Sequence, residues 1–120
     1  MKKELTEEDL NEKRDQELEA QALEISKGIE GNPKVYHFRF LDENKEEIVF
    51  FVSEPSRMTK IRVLDLSVQG TFSACEVLLT SCLIKAHSST RLDTDDKAYL
   101  GALLEVNKLI QMYTPAKKKN

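Results

Sequence analysis

The chain has 120 residues, enough to bury one core and too few for two independently cored domains. With 40% hydrophobic and 32% charged residues but only 4 Gly and 3 Pro, it reads as globular and helix-rich rather than disordered or fibrous. The net charge of −3 argues against a main role in neutralising phosphate backbones, so nucleic acid is not the expected partner.

Charge is unevenly distributed: residues 1–30 hold 10 acids against 5 bases, and residues 31–120 hold 11 against 13. An acidic arm thus precedes a nearly neutral body. The first ten residues are not a basic stretch leading into an apolar one, and no run approaches the roughly 20 apolar residues that cross a bilayer. These features predict a soluble, unexported, cytoplasmic protein with no membrane partner.

From Leu5 to Ile29 the composition favours helix, with no Pro or Gly before Gly28. Leu18, Ala22, Ile25 and Ile29 share one face, whereas no apolar residue lies between Leu10 and Leu18. The second half of this helix is expected to dock, and the first half to fray. Gly28, Gly31, Asn32 and Pro33 end it.

Lys34 to Leu41 then alternates Tyr36, Phe38 and Phe40 against His37 and Arg39, and Glu47 to Val52 is a second aromatic and β-branched run. The polar residues Asp42 to Lys45 between them predict an antiparallel hairpin whose aromatic face is covered by helices, because two strands alone are marginal in water. His37, opposite those aromatics, is expected to be a solvated strand residue.

Ser53 or Glu54 near the cap and Pro55 in the first turn predict a helix reaching Gln69, with a core stripe of Met58, Ile61, Leu64 and Val68. Gly70 stops it. The next helix places Phe72, Cys75, Leu78, Leu79, Cys82 and Leu83 on one side and is the most apolar, hence the expected core. A polar loop from Ala86 to Leu92 leads to Asp93 and Thr94 as cap candidates. The last helix carries Tyr99, Leu103, Val106 and Ile110 on one stripe, with Leu100 and Leu104 beside it. The fold class expected is α+β: an antiparallel β-hairpin packed on a three-helix bundle, preceded by a charged N-terminal helix. The expected organisation is a helical arm over 1–31, a compact domain over 32–114, and a basic disordered tail over 115–120.

Chemistry-bearing patterns are sparse. Four glycines assemble neither a phosphate-binding loop nor a dinucleotide fingerprint. Cys75 and Cys82 lie seven residues apart in one helix, a rise of about 10 Å against the roughly 7 Å a disulfide allows, so they read as reduced, buried thiols. His37 and His87 have no nucleophile elbow beside them. Asp93, Asp95 and Asp96 lack the glycine and terminal acid of a calcium loop and suit a helix start. No catalytic residue, cofactor or metal is expected, and binding to protein is the remaining class.

The order of residues from Ile48 through Met112 resembles the small tail-assembly chaperones of long-tailed bacteriophages. The resemblance is carried by a strand ending in Val49, Phe50 and Phe51, a Pro55-Ser56-Arg57 helix start, and a helix ending in Leu78 to Ile84. A polar loop, the acidic helix start from Asp93 to Ile110 and a lysine-containing end complete it. Lys85, Ala86 and His87 stand where a Gly-Asp pair is the family pattern. The resemblance implies a non-catalytic protein whose copies coat a long helical tape-measure protein, with self-association of neighbours, until tail-tube protein polymerises around it. The implied partner surface is the exposed part of the last helix, Leu100, Leu104, Asn107 and Lys108, with Arg57 and Lys60 nearby. It also implies extension by ribosomal frameshifting, with which the terminal Lys118-Lys119-Asn120 is compatible. The alternative from the residues alone is a small cytosolic adaptor or regulatory domain whose acidic arm docks on a basic partner.

Overall fold

The computed structural model describes residues 6–114, so the basic tail expected over 115–120 lies outside them. The elements run α1 (Glu7–Lys27), β1 (Val35–Leu41), β2 (Glu47–Ser53), α2 (Arg57–Ser67), α3 (Thr71–Cys82), a 3-10 turn (Lys85–His87), α4 (Arg91–Thr94) and α5 (Asp96–Tyr113). The fold is α+β, a single antiparallel hairpin among helices.

Helix α1 starts at Thr6, whose hydroxyl accepts from the Asp9 N–H at 3.1 Å while the Asp9 carboxylate accepts from the Thr6 N–H at 3.2 Å. Glu7, Glu8 and Asp9 in its first turn suit the helix dipole. Leu18, Ala22 and Ile25 dock as expected, forming a small core with Val35 and Phe51. The first half differs from expectation. Arg14 pairs with Glu47 at 2.6 Å, and Arg39 donates to Asn11 Oδ1 at 2.8 Å. Polar contacts with the hairpin there replace the missing apolar stripe.

In the hairpin, Tyr36 faces Val52, Phe38 faces Phe50 and Phe40 faces Ile48 across the strands. These residues belong to the main core with α3 and α5, and the Phe38 and Phe50 rings stack with centroids 4.8 Å apart. The opposite face, carrying Val35, Val49 and Phe51, is covered by α1. The hairpin is thus the middle of three layers. His37, expected to be solvated, is only partly exposed because α1 covers its face.

Helix α2 is capped by Ser56, whose hydroxyl accepts from the Thr59 N–H at 3.2 Å, rather than by Ser53 or Glu54. Of its expected core stripe only Leu64 packs on the core, partly buried; Val63 is the buried residue, and Met58, Ile61 and Val68 are 77%, 51% and 88% exposed. Apolar side chains surround this helix, and packing against α3 takes the side that holds Val63. Phe72, expected in the core of α3, is likewise 53% exposed, while Cys75, Leu78, Leu79 and Cys82 are buried. Helix α3 ends at Cys82 instead of continuing to Ile84, because Leu83 bridges Val52 and the Ile84 N–H donates to the Phe51 carbonyl at 2.9 Å.

The polar stretch expected to be a loop contains the 3-10 turn and α4. Asp95, not Asp93 or Thr94, caps α5: its Oδ1 accepts from the N–H groups of Lys97 at 3.0 Å and Ala98 at 3.4 Å. Arg91 in α4 bonds Asp95 at 2.7 Å and Asp42 in the hairpin turn at 2.5 Å. One guanidinium therefore ties the start of α5 to the tip of the sheet.

Candidate partner-binding surface

The inner arc of α5 buries Ala98, Ala102, Leu103, Val106, Leu109 and Ile110. At 100° per residue the outward side is then Leu100, Leu104 and Lys108, successive positions four apart. Leu100 is 51% exposed and Leu104 60%. Asn107 lies partly buried at the seam with α3, where the Cys75 thiol donates weakly to its Oδ1 at 3.9 Å. Leu104 and Leu100 stand one and two turns before Asn107, and Phe72 stands one turn before Cys75. The Tyr99 hydroxyl reaches Glu76 while Asn107 meets Cys75 along this seam, and the exposed leucines form a strip of α5 alone.

Among the sequence-predicted residues, Leu100, Leu104 and Lys108 are brought onto one stripe. Lys108 is paired with Glu105 at 3.1 Å. Arg57 and Lys60 are not part of that stripe. Lys60 meets α5 only near its C-terminal end, its ammonium 4.9 Å from the Tyr113 ring centroid. Tyr113 is 13 residues beyond Leu100, about 20 Å along the helix axis. Arg57 is exposed at the first position of α2.

Lys60 instead belongs to a polar cluster at the open end of the hairpin. Its ammonium lies 2.6 Å from Glu54 Oε1, and the Tyr36 hydroxyl donates to Glu54 Oε2 at 2.5 Å. Burial pushes the Glu54 carboxyl up, but hydrogen bonds from Lys60 and Tyr36 outweigh it and hold the group below its usual range. The Tyr113 hydroxyl is buried without a hydrogen bond of normal geometry among the described residues. Burial, with Tyr36 and Glu54 alongside, pushes its pKa far up, so it stays protonated. The cluster anchors the end of α5 and leaves the Lys60 ammonium engaged by both Glu54 and the Tyr113 ring.

Cys75 and Cys82 are free and buried, and burial pushes both thiols up. That places them with inert core cysteines rather than activated nucleophiles. Among the described residues no three His, Cys, Asp or Glu side chains converge as a metal-binding group, and no helix is long and apolar enough to cross a membrane.

Phe72, Met58, Ile61 and Val68 are surface residues that periodicity had assigned to the core. The signal that separates them is tertiary: only the packing of α2 and α5 on α3 shows which of several apolar faces is left over. Compared with known proteins, the chain matches no family model, no curated protein and no solved structure.

Proposed function

We propose that this protein is a non-catalytic chaperone of phage tail assembly that holds the apolar stripes of a helical tape-measure protein. The observation that carries this reading is the exposed apolar strip of Leu100 and Leu104 on α5. An amphipathic helix lays its i, i+3, i+4 and i+7 anchors along such a strip, and many copies on one long rod add up to stable coverage. The resemblance over residues 48–112 supplies the identity of the rod. It fits the helix order found here, with the lysine-containing end outside the described residues.

The test is co-expression with the long helical product encoded next to this chain, followed by co-purification. Capture by the intact chain, lost in Leu100→Asp together with Leu104→Asp while the helical spectrum and melting temperature are retained, supports the reading. A neighbourhood with no such long reading frame, or capture that survives both substitutions, sinks it.

A second reading, an adaptor docking on a basic partner, is favoured by the acids exposed along α1, among them Glu8, Glu12 and Glu19. Deleting the arm does not discriminate, because α1 shares a core with the hairpin. Replacing these three acids by Gln does: the adaptor loses its partner, and the chaperone retains the rod.

A further inference from the structure

The outward stripe of α2 has a charge pattern that complements itself. Arg57, Ile61 and Asp65 follow at spacings of four, so they lie along one exposed line, with Met58 and Val68 flanking it. Neither Arg57 nor Asp65 forms an ion pair among the described residues, although Lys60 on the same helix is paired with Glu54. The line thus reads positive, apolar, negative, and both charges are available.

A two-fold contact presents the same patch from both sides, so it requires a surface that matches its own reversed copy. Two α2 helices laid antiparallel and centred on Ile61 set Ile61 against Ile61. They also bring Arg57, about 6 Å from that centre along the axis, level with the second copy's Asp65, and repeat this pairing at the other end. Parallel alignment would instead level Arg57 with Arg57 and Asp65 with Asp65. Met58, one turn from Ile61, widens the apolar centre, and Val68 lies just outside Asp65 at each end, so both shield the ion pairs from water.

We propose that α2 is a self-association surface, on which a second copy of this chain docks antiparallel through Ile61 with reciprocal Arg57–Asp65 ion pairs. The contact spans one helix of 11 residues, well short of a standard interface, so the dimer is a weak one that forms at micromolar or higher concentration. It is separate from partner capture on the outward face of α5, and each can fail without the other.

Sedimentation velocity of the full chain across a concentration series tests the proposal. The expected result is a reversible monomer–dimer equilibrium. Ile61→Arg shifts it to monomer with an unchanged far-UV spectrum and melting temperature, since the side chain is half exposed. Arg57→Asp and Asp65→Arg, each placing like charges at both ends, weaken the dimer by about tenfold or more. Combining the two substitutions exchanges the charges, re-forms both pairs and restores the dimer. A chain that stays monomeric throughout the series, a dimer indifferent to Ile61→Arg, or a double variant that remains as weak as the single ones overturns the proposal.

Discussion

The Phe40 ring lies over the backbone of Gly101 in the middle of α5, so near that a Cβ at residue 101 would stand 2.6 Å from Phe40 Cε2. A strand and a helix approach here through a ring and a bare α-carbon. Glycine ordinarily costs a helix interior about 1 kcal/mol relative to alanine, so its presence marks the contact rather than the helix.

Gly101→Ala is therefore expected to destabilise the protein by about 1 kcal/mol net, overpacking of roughly 1–3 kcal/mol outweighing the gain in helix propensity. Thermal melts read this directly, with a drop of several degrees expected. In a Phe40→Ala background the same substitution becomes neutral or stabilising. A rise in melting temperature for the single variant would show that the ring yields, and would refute the contact as the reason for the glycine.

The two faces of the hairpin give different truncation phenotypes. Phe50→Ala removes a fully buried ring from the main core and is expected to cost about 3–5 kcal/mol, enough to threaten the fold. Leu18→Ala, at the contact of α1 with the hairpin, is expected to cost about 2–5 kcal/mol. Hydrogen exchange separates them: the Leu18 variant speeds exchange in α1 before α3 and α5, and the Phe50 variant speeds it throughout. Equal effects on all helices in the Leu18 variant would mean that α1 is no separable layer.

Acid should loosen the molecule at defined points. A hydrogen bond from Arg14 holds the Glu47 carboxyl below its usual value, one from Arg91 does the same for Asp95, and Asp42 is lowered first by the Glu46 N–H and then by Arg91. A carboxyl with a depressed folded pKa contributes stability that is fully present above its unfolded value and is lost as pH falls through the folded one. Stability is thus expected to be level near neutrality and to decline below about pH 4.5, where unfolded carboxyls begin to bind protons. Arg91→Ala removes a shared partner of Asp42 and Asp95, lowers the neutral-pH melting temperature and flattens the acid limb. An acid limb of unchanged steepness in that variant would show that these carboxylates are not what acid releases.

Lys60 is expected to have a stability phenotype and no binding one. Lys60→Met removes the Glu54 ion pair and the Tyr113 contact, costing about 1 kcal/mol, while capture of the rod by the outward face of α5 stays unchanged. Impaired capture at unchanged stability would return Lys60 to the binding surface.

The hairpin was legible because Tyr36, Phe38 and Phe40 alternate with polar residues, and the docking half of α1 because Leu18, Ala22 and Ile25 repeat with helical spacing. Helix α2 was not. Met58, Ile61, Val63, Leu64, Leu66 and Val68 surround it, so periodicity offers several faces and only packing against α3 selects the one with Val63. Asp95 was similarly hidden among Asp93, Thr94 and Asp96, each a credible cap until α4 fixes where α5 begins. Of the candidate surface, spacing sets Leu100 and Leu104 beside the core stripe of α5 and leaves core and surface both open; burial of Ala98, Ala102 and Leu109 on the far side turns them outward. The engagement of Lys60 with Tyr113 spans 53 residues of sequence and leaves no local trace.

The layered hairpin also sets an order in time. While the chain is being translated, the face bearing Phe51 finds its cover as soon as it is made, because Leu18, Ala22 and Ile25 precede it. The core around the Phe38–Phe50 stack is shared with α3 and completed only by α5, whose Val106 and Leu109 are among the last of it to be made. At about 5–20 residues per second that interval is on the order of several seconds. Until then the aromatic sheet face that the finished protein hides has at most α3 to cover it, and α5, the helix carrying Leu100 and Leu104, is the piece that closes it.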